Sequence, residues 1–418
     1  MEPSGSAADL RQWFTSYGGY IHPSVSLSQG KFGLSAIAQD TIDADTTIVS
    51  CPFSLAIDVE CSLHALTALF GESTLVDLQS WLERQLICTY ICLHWIVPDS
   101  RRVEVISPIP DVLRHLPYLK SLPPPDALLT PLQFTPSELE AFRGTNIYGA
   151  TRDRQECWNT EWNTCRAFIH AVNPDWAERY TWYADKYLRA STYLSTRAFP
   201  STLLSRSPTL QTTSSSYPFM LPGVDILNHS RGQPVSWCTS YPEGSTEARD
   251  DSATISIISH TKTPLGEEVF NNYGLKANDE LILGYGFSLP QNPEDKITLQ
   301  LGGSSNKWAI GRLASGVEGL WNEVRRLVAE TPEEIGYEDD LEAAQLLLEM
   351  VQKKFDSLPD LPDENGAGIR PAVRLMLKHY VEGQRDILAS LKMYFEERQE
   401  AAVEAARNEG IELVFDDE

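Results

Sequence analysis

The sequence lacks several of the short motifs that identify common enzyme sites. It contains no G-x-x-x-x-G-K-[ST] phosphate loop, no strand-borne G-x-G-x-x-G, no G-x-S-x-G elbow and no H-E-x-x-H. Such motifs carry phosphate binding, dinucleotide binding, serine hydrolysis and zinc proteolysis. Any chemistry must therefore be sought in other polar segments of the chain.

Basic side chains are scarce. The 418 residues include 34 lysines and arginines against 58 aspartates and glutamates, which gives a formal net charge of −24. A surface of this sign repels nucleic-acid phosphates and anionic lipid. We therefore expect no direct binding to nucleic acid or membrane, and a partner that carries a basic protein segment.

Long apolar runs and regularly paired cysteines are absent as well. The longest apolar stretch, LICTYICLHWIV (86–97), is too short to cross a bilayer, and the first residues have no apolar signal-peptide core. The seven cysteines are scattered over residues 51–238, and this odd number argues against a secreted disulfide framework. The expected compartment is the cytoplasm, the nucleus or both.

Cysteine and histidine form no metal-binding pattern that stands out from core packing. Cys88 and Cys92 lie one helical turn apart with His94 nearby, but the surrounding residues are leucine, isoleucine and tryptophan. Small apolar cysteines are common in such cores. No metal site is predicted.

Hydrophobic periodicity predicts strands at the start of the chain and a helical insert after them. Residues 1–60 alternate short β-branched segments with glycine and proline, which indicates two or three strands joined by turns. Residues 61–190 are predicted to be mainly helical. The spacing predicts one buried helix face there, formed by Leu82, Leu86, Ile87, Tyr90, Ile91 and Trp95.

Strands are predicted again within residues 191–290, and helix from residue 296 to the end. A Ser/Thr-rich loop at 206–216 comes first, and Ile255 and Ile257 then alternate as in a half-buried strand. The last stretch carries an amphipathic stripe: Val373, Met376, Leu377, Tyr380, Ile387, Leu388, Leu391 and Phe395. This order predicts an α+β fold whose β core is assembled from distant segments and is followed by a helical domain at 296–418.

Two segments combine backbone freedom with charge. GKFGLSAIA (30–38) contains a glycine turn that a ligand could approach closely, although an ordinary hairpin has the same pattern. STRAF (195–199) ends a helical run with Arg197. That arginine could bind a carboxylate, or it could simply lie near a helix C-terminus at the surface.

Two further segments are rich in polar and aromatic groups. DILNHS (225–230) sets Asn228 beside His229, which is the pattern of a site or of a polar turn. NNYGLKANDELILGYGF (271–287) contains Tyr273 and Tyr285, two tyrosines that could share a pocket or belong to the core.

In their order and joint spacing, these segments resemble the SET-domain protein methyltransferases, in particular the subgroup typified by the Rubisco large-subunit methyltransferase. The resemblance covers nearly the whole chain, through LPYLKSLP, STRAF, DILNHS, GEEVFNNYG and NDELILGYGF to the helical tail. It implies a SET β-fold with a knot-like crossing, split into residues 1–60 and 191–290 by the insert at 61–190. The domain at 296–418 would be an all-α substrate-binding domain.

The resemblance also implies a cofactor, S-adenosylmethionine, and residues that bind it. The backbone around Lys31, Phe32 and Gly33 would hold the cofactor, and Arg197 would face its carboxylate end. At the crossing of two chain segments, contacts to the cofactor would come from Asn228 and His229.

Catalytic and substrate roles follow from the same resemblance. Tyr273 matches the tyrosine at the methyl-transfer centre, where it also contacts the cofactor, and Tyr285 matches the tyrosine that lines the lysine channel. Asp225 would lie towards that channel, and Arg197 is assigned to substrate binding as well. The implied activity is protein-lysine N-methylation of a non-histone protein, such as a ribosomal or other cytosolic or nuclear factor.

The chemistry suits these residue types. Methyl transfer from a sulfonium to an amine is an in-line displacement that needs alignment more than a strong acid. Tyrosine faces and hydroxyls stabilise the moving positive charge. The lysine must lose its proton before it attacks, and desolvation in an aromatic channel lowers its pKa.

Two alternatives remain open at this level. The chain could be a SET-fold interaction module with weak catalysis, or a methyltransferase that acts on histidine or on a small-molecule amine. The presence together of Asn228, His229, Tyr273 and Tyr285 favours the lysine enzyme.

Overall fold

The structure is a computed structural model that describes residues 5–30, 33–99, 110–182, 186–247, 249–302, 305–331, 336–361 and 368–411. The chain divides into two compact units, each built from two segments. The first comprises Met1–Leu128 and Asp153–Gly274, and the second comprises Leu129–Arg152 and Leu275–Glu418. Residues 129–152 of the predicted insert and residues 275–290 of the predicted 191–290 segment thus lie in the second unit. The predicted domain boundaries stay a prediction.

Ten strands are present in the described residues. They are β1 (Tyr20–Ile21), β2 (Val25–Gly30), β3 (Gly33–Ala38), β4 (Thr46–Pro52), β5 (Ala198–Pro200), β6 (Pro218–Met220), β7 (Val235–Ser240), β8 (Thr254–Ser259), β9 (Lys296–Leu299) and β10 (Trp308–Gly311). The main sheet is antiparallel with the order β1-β4-β8-β7, so a strand from the first sixty residues pairs with one beyond the insert. The predicted assembly of the β core from distant segments is confirmed.

The helices account for most of the remaining elements. They are α1 (Gly5–Ser16), α2 (Val59–Phe70), α3 (Leu75–Gln79), α4 (Glu83–Asp99), α5 (Leu116–Ser121), α6 (Pro136–Glu140), α7 (Asn146–Val172), α8 (Pro174–Arg179), α9 (Tyr187–Arg197), α10 (Asn278–Tyr285), α11 (Glu318–Val328), α12 (Tyr337–Asp356) and α13 (Pro371–Asn408). The sequence analysis did not predict α1. None of the helices in the described ranges is long and apolar enough to span a bilayer.

The core of the first unit is formed by buried residues of β8 and α4. Ile255 and Ile257 on β8 are fully buried, as are Tyr90 and Ile91 on α4. Leu82, which was predicted to share that helix face, precedes α4 and is exposed. Its backbone N–H instead donates a hydrogen bond to the side-chain oxygen of Gln85 at 2.8 Å, so Leu82 lies in the turn that starts the helix.

The cysteines of α4 belong to this core. Cys88 and Cys92 are completely buried, and His94 beside them is almost so. All seven cysteines are free thiols. Within the described part of the chain, no group of three or more histidine, cysteine or acidic side chains is arranged to hold a metal ion.

The segment from residue 296 onward does not begin with the predicted helix. Instead of helix from residue 296, β9 and β10 form an antiparallel hairpin in which Ile297 pairs with Ile310. The alternation of exposed Lys296 and Thr298 with buried Ile297 and Leu299 is the strand period of two. The helices α11, α12 and α13 then pack around a shared apolar core, and the eight predicted stripe residues of α13 are all buried.

Candidate active site

Two segments of the first unit run side by side where the resemblance places the crossing. His229 and Asn271 form a parallel bridge. The N–H of Asn271 donates to the carbonyl of Asn228 at 2.8 Å, and the N–H of Ser230 donates to the carbonyl of Asn271 at 2.9 Å. The DILNHS and VFNNYG motifs, which begin at residues 225 and 269, are therefore held together through their backbones.

Tyr273 is fixed against this crossing at three points. Its backbone N–H donates to Nδ1 of His229 at 3.0 Å, and its hydroxyl donates to the carbonyl of Leu227 at 3.0 Å. The two rings are stacked, with centroids 5.1 Å apart and 28° between their planes. Because Nδ1 of His229 accepts a hydrogen bond, the neutral imidazole carries its proton on Nε2.

Asn228 presents an oriented amide at the same place. Its Nδ2 group donates to Oε1 of Glu268 at 2.6 Å and to Oγ of Ser35 at 3.2 Å. Ser35 lies on β3, two residues after the glycine turn. The turn, the Asn-His pair and the Tyr273 segment thus meet in one region.

Gly33 of the glycine turn lies close to other side chains of the first unit, while the predicted approach of a ligand to this turn stays a prediction. Gly33 has φ of +119°, and a Cβ there would lie 2.8 Å from Cγ of Pro123 and 3.5 Å from NH2 of Arg197. Only glycine accommodates both the backbone angle and the proximity. Lys31 and Phe32, which were predicted to bind the cofactor with Gly33, lie outside the described residues.

Arg197 and Asp225 bind each other. NH1 of Arg197, at the end of α9, donates at 3.0 Å to both Oδ2 and the backbone carbonyl of Asp225. The hydroxyl of Tyr118 donates to the same Oδ2 at 2.7 Å. Burial raises the pKa of Asp225, and Arg197 and Tyr118 partly offset this effect by stabilising the carboxylate.

Among the described residues, one oxygen of this carboxylate has no hydrogen-bond partner. Oδ1 of Asp225 is buried, and no described residue donates a hydrogen bond to it. An unsatisfied buried acceptor costs about 1 to 3 kcal/mol. The atom is therefore a candidate acceptor for a hydrogen-bond donor on a ligand.

Tyr285 belongs to the second unit. It ends α10, and Gly286 follows in a left-handed conformation where a Cβ would lie 2.7 Å from the carbonyl carbon of Leu129. Nζ of Lys276 lies 5.7 Å from the centroid of the Tyr285 ring. Burial, followed by the charge of Glu280, raises the pKa of Tyr285 to about 12, so its phenol stays protonated at neutral pH.

Three residues of this region were not singled out from the sequence. Tyr118 contacts Asp225, while Glu268 and Ser35 contact Asn228. Tyr118 stands in LPYLKSLP and Glu268 in GEEVFNNYG, two stretches that were part of the resemblance. The motifs that contain Tyr118 and Glu268 could thus be found from the sequence. Their hydrogen-bond partners could not, because these contacts depend on the tertiary structure.

Comparison with characterised proteins finds lysine methyltransferases. No family model matches the sequence. The chain is 30% identical over 287 residues to the ribosomal lysine N-methyltransferase set10 of Schizosaccharomyces pombe, covering 67% of this chain and 45% of that protein. It is 28% identical over 215 residues to ribosomal lysine N-methyltransferase 1 of Saccharomyces cerevisiae, covering 44% and 34% respectively. The chain spans less than half the length of these two relatives.

Solved structures agree on the architecture. The structure of Rubisco LSMT bound to AdoMet matches with a TM-score of 0.70 at 16% identity, covering 96% of this chain and 94% of that one. The SET domain of LSMT bound to lysine and AdoHcy matches with a TM-score of 0.70 at 16% identity, covering 97% and 94%. The predicted fold class is confirmed.

Proposed function

We propose that this chain, which has the fold of the SET-domain protein-lysine methyltransferases that its motifs resemble, is an S-adenosylmethionine-dependent protein-lysine N-methyltransferase. The observation that carries the proposal is Tyr273, which His229 and the Leu227 carbonyl hold rigidly beside Asn228. The names of the curated relatives support the same reaction class. Catalysis by positioning requires groups that are held in a fixed geometry.

The residues present fit the implied cofactor. Gly33 has a backbone conformation and a close packing against Pro123 that only glycine accommodates, and Arg197 lies beside it. Asn228 offers an oriented amide next to this turn. S-adenosylmethionine supplies a methyl group activated on a sulfonium, and Gly33, Arg197, Asn228 and His229 would hold it.

The side chains of the chain then contribute alignment and charge stabilisation. In the proposal, the Tyr273 hydroxyl and the Leu227 carbonyl present oxygen atoms to the positive charge that develops during transfer. Tyr285 would line the lysine channel, and its raised pKa keeps it from ionising there. Asp225 and Arg197 would contact the substrate as a neutralised pair.

We further propose a basic, non-histone substrate protein in the cytoplasm or nucleus. The net charge of −24 favours a partner rich in lysine and arginine. Two curated relatives are named ribosomal lysine methyltransferases, which makes ribosomal proteins the first candidates.

The test is incubation of the purified protein with radiolabelled S-adenosylmethionine and acid-extracted ribosomal proteins. We expect a labelled protein band whose hydrolysate contains methyl-lysine. Tyr273→Phe should lower the rate on the order of 10²-fold, because it removes one group from the transfer centre. Tyr17→Phe, at a tyrosine that is 43% exposed, is the matched control and should change nothing.

Three results would contradict the proposal. Full activity of Tyr273→Phe would contradict the role assigned to the Tyr273 hydroxyl in methyl transfer. Methyl-histidine in the hydrolysate would assign a different nucleophile. Failure of the wild type to bind the cofactor in calorimetry would favour an interaction module.

A further inference from the structure

The extended segment Glu267–Val269 is bound to β3 through backbone hydrogen bonds. Glu268 forms an antiparallel bridge with Ile37, and the N–H of Val269 donates to the carbonyl of Ala36 at 2.8 Å. The carbonyl of Glu267 accepts from the N–H of Ala38 at 2.9 Å. The backbone of Glu268 therefore has a fixed place beside the glycine-turn hairpin.

The side chain of Glu268 determines which way the Asn228 amide faces. A carboxylate can only accept hydrogen bonds, so the amide must turn its NH₂ group towards it. The observed distance from Nδ2 to Oε1 is 2.6 Å, and the second N–H of the same group donates to Ser35. Both amide protons are used, and Oδ1 of Asn228 remains as an acceptor to which no described residue donates.

We propose that Glu268 is a positioning residue for cofactor binding: it locks the Asn228 amide so that Oδ1 accepts a hydrogen bond from a nitrogen donor on the cofactor. The inference rests on the proposed function and adds a residue to those that the sequence motifs assign to the site. S-adenosylmethionine carries two such donors, the ammonium of its amino-acid part and the amino group of its adenine. The negative charge of Glu268 favours the ammonium.

The test measures binding of S-adenosylhomocysteine by calorimetry to the wild type and to Glu268→Gln. A glutamine can offer either an oxygen or an NH₂ group, so the Asn228 amide loses its enforced orientation. We expect the Kd to rise about tenfold, the typical effect of one hydrogen bond to a charged group. The neighbouring Glu267→Gln is the matched control, because Glu267 is exposed, and its Kd should stay unchanged.

A swapped pair separates positioning from a general structural effect. In the double variant Asn228→Asp with Glu268→Gln, the new carboxylate at 228 can accept from the glutamine NH₂ group and still offer an oxygen to the ligand. We expect the double variant to bind within about threefold of the wild type, while Asn228→Asp alone binds poorly because two carboxylates face each other. The melting temperatures of Glu268→Gln and of the double variant should agree with that of the wild type, since both side chains reach solvent.

A second ligand distinguishes the two donors. 5′-Methylthioadenosine lacks the amino-acid part, so Glu268→Gln should leave its Kd unchanged if the ammonium is the donor. An equal loss on both ligands would assign the adenine amino group. Equal binding of S-adenosylhomocysteine by Glu268→Gln and the wild type would overturn the inference while leaving the proposed function standing, whereas no binding by the wild type would overturn both.

Discussion

Leu313 has an unfavourable backbone conformation, and its apolar side chain is exposed to solvent. Its φ is +55° and that of Ala314 is +54°, and the Leu313 side chain is 91% exposed. For a residue other than glycine, this left-handed conformation costs about 1 to 2 kcal/mol. Arg312 stabilises the turn through the carbonyl of Asn292 and the carboxylate of Asp295.

Leu313→Gly is therefore expected to stabilise the second unit by about 1 kcal/mol, because glycine adopts this φ without strain and little apolar burial is lost. Chemical denaturation of the full chain measures the change. Leu327→Gly is the control with the opposite sign. Leu327 is 67% exposed on α11, where glycine should cost about 1 kcal/mol. A loss of stability in Leu313→Gly would contradict the assigned strain.

At the same scale, the sequence indicated the candidate site residues and the structure added their partners. The glycine at 33 and the Asn-His pair could be identified because few residue types serve these roles. The bond between Arg197 and Asp225 could not be predicted, because the two residues come together only when α9 and the loop before β7 have folded. Tyr118, 107 residues from Asp225, is more distant still.

Among the elements, α13 contains a glycine that its helical setting does not explain. Gly383 is buried at the middle of the helix, and a Cβ there would lie 2.3 Å from Oδ2 of Asp295. Asp295 in turn receives hydrogen bonds from Asn278 and Arg312. The glycine lets a buried carboxylate approach the helix, which accounts for the interruption of the apolar stripe.

Gly383→Ala is expected to destabilise the protein by about 1 to 3 kcal/mol, although alanine is the better helix former, because overpacking outweighs propensity. The control is Gly149→Ala on α7, where a Cβ would meet nothing within 4 Å. That change should stabilise by about 0.5 to 1 kcal/mol. Thermal denaturation of both variants gives the comparison, and a gain in stability for Gly383→Ala would contradict the close approach.

Element prediction from sequence succeeded where the pattern was long. The α13 stripe and the alternation in β8 extend over enough residues to distinguish a period of 3.6 from one of 2. The hairpin of β9 and β10 has only four residues in each strand, too few to stand out from its helical surroundings. The helix α1 was missed because its apolar positions are few, with Ala7, Leu10 and Phe14 as its fully buried contacts.

For the molecule as a whole, buried histidines link stability to pH. Burial lowers the pKa of His94 to about 4 and lowers that of His115 well below its ordinary value. In the unfolded chain, both histidines take up protons near pH 6.5, whereas in the folded chain they remain neutral. The unfolded state therefore binds more protons as the pH falls, and stability decreases from about pH 7 towards pH 4.

His94→Gln should reduce this pH dependence by up to about 1.4 kcal/mol per pH unit between pH 6.5 and pH 5. Urea denaturation at several pH values measures the slope, and comparison with the parent protein cancels the contribution of the carboxyl groups. Val76→Ala, at an exposed residue without an ionisable group, should leave the slope unchanged. Equal slopes for His94→Gln and the parent would show that His94 titrates alike in both states.

The two segments of the second unit also limit when that unit can fold during synthesis. Arg370 donates from its backbone and its guanidinium to the buried carboxylate of Glu138, 232 residues earlier, and Phe142 and Ile147 pack with the start of α13. During synthesis, this early segment leaves the ribosome long before its partners exist. Its apolar side chains stay without their packing partners until the last helix has been synthesised. Apolar surface exposed in this way is what chaperones bind.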